Sequence, residues 1–163
     1  MRSLVFIVAI ILSIIIQSSF NFLNFGITPD LLLILVLFTA VLEGPVVGFK
    51  VGLIVGLVED LVAGKYFGIY ILTKMLTGVI IGLVEPKIFK ENYLVPVVTL
   101  FFGTIIHEFF FIFFGNIIGM NILLGENMWH RVLPLAIYQA ILAPFIYVPF
   151  YKIYFSKWLN RTR

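Results

Sequence analysis

The chain has 163 residues, 62% of them hydrophobic and only 12% charged, with a formal net charge of +3 and no cysteine. A soluble domain carries roughly 25% charged residues, so this chain lacks the polar groups to cover a globular surface and takes the bilayer as its solvent. The missing cysteines exclude disulfides, zinc–thiolate sites and cysteine nucleophiles. The positive charge sits in short inter-helix loops and the tail, so it speaks for membrane topology, not nucleic acid.

A single polytopic membrane domain over 1–163 follows, with six helices expected in chain order. The first, about 3–23, begins after Met1-Arg2-Ser3. Its apolar run is longer than the roughly 7–15 residues of a signal-peptide core, and no Ala-x-Ala follows, so it reads as an uncleaved membrane helix. The second, 30–43, is short, opened by Pro29-Asp30 and closed by Glu43-Gly44-Pro45. Proline suits a helix start because the donor it lacks is not needed there. The third runs 46–63 and the fourth 68–85, joined by Gly64-Lys65-Tyr66-Phe67-Gly68. The linker 85–92 leads to a fifth helix at 93–115. Residues 116–130 are weakly polar, and Met120–Leu124 is either an interfacial helix or the end of a long fifth one. The sixth, 131–155, contains Pro134, Pro144 and Pro149, which should bend it.

Cytoplasmic loops attract lysine and arginine. With the N-terminus inside, that side receives Arg2, Lys50, Lys87, Lys90, Lys152, Lys157, Arg161 and Arg163, and the outer side only Lys65 and Arg131. Both termini are therefore expected in the cytoplasm.

Two residue patterns stand out. Gly48, Gly52 and Gly56 recur every four residues on the third helix, as do Gly78 and Gly82 on the fourth. Small residues at this spacing let helix backbones approach closely. They serve either packing within the chain or docking of a partner's membrane helix. The second pattern is ionisable. Charges within a membrane cost at least about 2.5–3.5 kcal/mol each on insertion scales, yet Glu59, Asp60, Lys74, His107 and Glu108 all fall in the expected outer half. Lys74 is placed to pair with Asp60, Glu59 or Glu108. Adjacent His107 and Glu108 point about 100° apart on a helix and are not placed to act on one another. Ser13, Gln17, Asn21 and Asn24 share a face of the first helix, and Gln139 lies on the sixth. These groups form either an outward-facing polar pocket or ordinary interhelical hydrogen bonds. No nucleophile–base pair, metal motif or phosphate-cradling loop is present, so no catalytic residue, metal or cofactor is assigned.

The whole chain resembles the bacterial rod shape-determining MreD family. The likeness rests on Pro29-Asp30 before a leucine-rich helix, on Gly44-Pro45, and above all on Gly48-x3-Gly52-x3-Gly56-x3-Asp60-x3-Gly64-x3-Gly68. The resemblance implies a non-enzymatic subunit of the cell-elongation machinery in the bacterial cytoplasmic membrane. Its implied partners are a bitopic MreC-like protein, MreB-like filaments, and a RodA-like glycosyltransferase with its penicillin-binding transpeptidase. It also implies a fold similar to the six-helix substrate-binding subunits of energy-coupling-factor vitamin transporters. Only Pro29, Asp30, Gly52, Gly56, Asp60, Gly64 and Gly68 carry over from the family motif. A vitamin-capture subunit is the alternative function, and a small membrane enzyme acting on lipid-linked substrates a third.

Overall fold

The structure, a computed structural model, describes residues 2–22, 28–64, 66–84, 94–123, 125 and 128–159. All regular secondary structure among them is helical: α1 (Arg2–Phe22), α2 (Leu31–Glu43), α3 (Pro45–Ala63), α4 (Ile69–Val84), α5 (Leu94–Ile117) and α6 (Leu133–Leu159). The linker 85–92 and Asn24, Lys65, Arg161 and Arg163 lie outside the described residues.

The centre of the molecule is α2. Every residue from Leu32 to Leu42 is buried, as a helix apolar on all sides should be. Helices α1, α3, α4 and α5 pack around it. Its one buried polar side chain, Thr39, turns its hydroxyl back to the Leu35 and Val36 carbonyls, both at 2.9 Å. On the α6 side, Phe38 meets Tyr147 edge-on with ring centroids 5.1 Å apart. With 13 residues, α2 is about 20 Å long, well short of a hydrocarbon core of about 30 Å. Its neighbours, not lipid, surround it.

Helices α3 and α4 form the closest pair. A methyl group added at Gly78 would lie 2.5 Å from the Gly48 carbonyl oxygen, and one at Gly52 would lie 2.5 Å from that of Lys74. At Gly56 and Gly82 the near atoms are again backbone, of Ile71 and Pro45. All five repeating glycines are thus occupied by this hairpin itself. Gly103 on α5 plays a similar part against α2, facing the Leu37 side chain.

Helix α5 and the segment Met128–Phe150 are each long and apolar enough to cross a membrane, and Phe6–Gln17, Leu31–Glu43 and Ile69–Val84 are shorter apolar stretches. Met120–Leu123 adopts neither expected form. Helix α5 ends at Ile117, and residues 120–123 are non-helical. The Asn116 side chain holds this return, accepting from Ile122 N at 2.6 Å and donating to Ile122 O at 3.0 Å. A π-helical turn, Met128–Val132, then leads into α6, so the last helix starts two residues later than the sequence suggests.

Candidate functional site

The start of α2, the end of α3 and the start of α4 meet at one end of the bundle, and the ionisable residues gather there. Asp30 caps α2: its Oδ1 accepts from Leu33 N at 2.7 Å, satisfying one of the donors a helix start leaves free. Its Oδ2 accepts from the Lys74 ammonium. One carboxylate therefore both starts the central helix and ties it to α4.

Asp60 performs a different task. Its carboxylate accepts from Gly68 N at 2.9 Å, Tyr70 N at 3.1 Å and Ile71 N at 3.1 Å. These are the free donors at the start of α4, and the helix has no cap of its own sequence there. The Asp60 carbonyl also accepts from Gly64 N at 3.1 Å, closing α3. Gly64 has φ +66° and Gly68 φ +103°, conformations that side chains disfavour, so both glycines serve the turn between the helices. Asp60 is 2% exposed, and three N–H groups and the positive end of α4 meet its charge.

Lys74 is therefore not the partner of Asp60 or Glu108. It pairs with Asp30 and with Glu59 Oε2, the latter at 2.9 Å, and its side chain has no solvent exposure. The sequence separation of 44 residues between Asp30 and Lys74 hid this pair. The only signal was that Asp30 opens a helix at the same end at which Lys74 enters one.

Beside this triad lies a cavity of about 300 Å³, lined by Ile14, Gln17, Leu32, Glu59, Val62, Ala63 and Tyr70. Gln17 and Glu59 both line it. Lys74, Gln139, His107 and Glu108 are not part of the lining.

Helices α5 and α6 hold a second polar set. His107 and Glu108 lie closer than their helical angles suggest, with Nδ1 and Oε1 3.6 Å apart. Glu108 Oε2 also faces Arg131 Nε at 3.9 Å, and Arg131 lies over the Phe111 ring, 6.0 Å from its centroid. Thr104 donates to Gln139 Oε1 at 2.8 Å. Both His107 ring nitrogens and Gln139 Nε2 are buried without a hydrogen-bond partner. Thr104 and Arg131 were not picked out from the sequence as parts of this set, because a threonine within a helix commonly bonds its own backbone and Arg131 reads as a topology charge. Among the described residues no group of three or more His, Cys, Asp or Glu side chains could hold a metal ion.

This arrangement is a charge-buried helix junction. Its acids act as caps and counter-ions. A family model described as rod shape-determining protein MreD matches residues 1–157. No curated protein and no solved structure matches the chain. The chain belongs to the MreD family, a membrane protein family with a role in rod-shape determination.

Proposed function

We propose that this MreD family member is a non-enzymatic scaffold subunit of the machinery that elongates the peptidoglycan wall. In this reading it is a multi-pass protein of the bacterial cytoplasmic membrane, with six helices in the membrane, the short α2 enclosed by the others, and both termini inside. The family match over residues 1–157 carries the reading. A rigid core supports it. Helix α2 is encased, the α3–α4 glycines are in backbone contact, and the buried acids are committed to caps and ion pairs. The reading also takes from the family resemblance a fold like that of the substrate-binding subunits of energy-coupling-factor transporters.

The partner is an MreC-like bitopic protein, with a RodA-like glycosyltransferase, its transpeptidase and MreB-like filaments as further members of the assembly. Because α4 covers the glycine face of α3, a partner helix docks on the outer, lipid-facing surface. The absence of native cysteines makes single-cysteine crosslinking clean. The chain should co-purify with a co-expressed MreC-like protein, and cysteines at exposed Leu61, Phe102 or Phe145 should report which face is covered. Failure to co-purify, with the chain folded and both proteins in the membrane, would overturn the scaffold reading.

A further inference from the structure

We propose that the cavity between α1, α2, α3 and α4 binds a primary ammonium group. Its volume of about 300 Å³ lies at the lower end for ligand pockets, about 300–1,000 Å³. It suits a headgroup or a small amine, not a whole lipid. Ile14, Leu32 and Val62 supply apolar walls, and Gln17, Glu59 and Tyr70 supply the polar ones.

The unmet groups set the chemistry of the occupant. Gln17 Oε1 is buried without a hydrogen-bond partner. It is an acceptor, and an ionised Glu59 carboxylate only accepts. A ligand rich in N–H donors satisfies both. Charge points the same way. Asp60 is met by three backbone N–H groups, and Glu108 faces Arg131. Asp30 holds Lys74 and Leu33 N. Among the described residues Glu59 has only a share in Lys74. Among the described residues two carboxylates share this one ammonium, so Glu59, when ionised, sets a negative charge at the cavity wall, where low dielectric makes an unbalanced charge costly. A second ammonium at Glu59 meets that charge directly. A quaternary ammonium would bring the charge but no N–H for Gln17.

Native mass spectrometry of the full chain in detergent tests this, with phosphatidylethanolamine, phosphatidylcholine and phosphatidylglycerol offered in equal amounts. Phosphatidylethanolamine should be retained over both others. Glu59→Gln and Gln17→Leu should each lower its retention about tenfold, the scale of one charge-assisted hydrogen bond. Gln17→Leu leaves the Asp30–Lys74–Glu59 contacts in place, so its effect reads binding apart from folding. Hexylamine separates the two sources. If it competes with the lipid, the site takes the ammonium whatever carries it, and if only the lipid is retained, the headgroup is the ligand. Equal retention of phosphatidylethanolamine and phosphatidylcholine, or a folded Gln17→Leu protein with unchanged retention, would overturn the proposal.

Discussion

At the scale of single residues, neighbouring Glu59 and Asp60 do unlike work. Asp60 serves three backbone donors at once, so Asp60→Ala strands buried N–H groups, each costing about 1–3 kcal/mol when left unpaired. Thermal unfolding in detergent should show a clear loss for Asp60→Ala and a smaller one for Glu59→Gln, which can still accept from Lys74. Equal losses would remove the special role of Asp60. Lys74→Met leaves Asp30 and Glu59 buried without their counter-ion, a change that costs about 3–5 kcal/mol in comparable settings. The triple variant Asp30→Asn, Glu59→Gln, Lys74→Met should recover much of that loss, because replacing a buried ion group whole is far milder than breaking it. The sequence placed Glu59, Asp60 and Lys74 in the same half of the membrane by counting turns from helix ends, but did not group Asp30 with them. It did not show who pairs with whom, because pairing depends on which helices are neighbours, and no local spacing encodes that.

At the scale of elements, the glycines divide by what faces them. Gly78 meets backbone, which cannot yield without parting α3 from α4, whereas Gly103 meets the flexible end of Leu37. Gly78→Ala should therefore abolish folded protein on size-exclusion chromatography, while Gly103→Ala should give folded protein with a lowered melting temperature. Gly64→Ala has open space around it but a left-handed backbone, so its cost should stay near the roughly 1–2 kcal/mol of that strain. The four-residue glycine period was visible in the sequence and raised both packing within the chain and partner docking. What it faces became clear only with α4 in place. The reversal after α5 was not legible, because it depends on one Asn116 side chain bonding a backbone six residues on.

At the scale of the whole molecule, the burial pattern makes a labelling prediction. Single cysteines at Leu35 and Leu37 on α2 should resist a lipid-soluble thiol reagent, while those at exposed Leu61 and Phe145 should react. Comparable labelling of α2 would mean that it faces lipid. A reporter fused after Arg163 should be active only in its cytoplasmic form if both termini lie inside. The helical class and the number of helices were legible from apolar runs and their proline and glycine borders. The central place of α2 follows from its short length and its lack of a polar face.

The triad of Asp30, Glu59 and Lys74 also bears on biogenesis. Both acids precede the base in the chain, so the ribosome delivers the counter-ions before the charge that needs them. Until α4 emerges, Asp30 and Glu59 can wait near the water interface at the ends of their helices. Lys74, six residues inside α4, has no such refuge, and its insertion is favourable only where α2 and α3 are already at hand. The translocon should therefore release α2, α3 and α4 together, as one cargo, and a chain stopped before α4 should remain within reach of the insertion machinery.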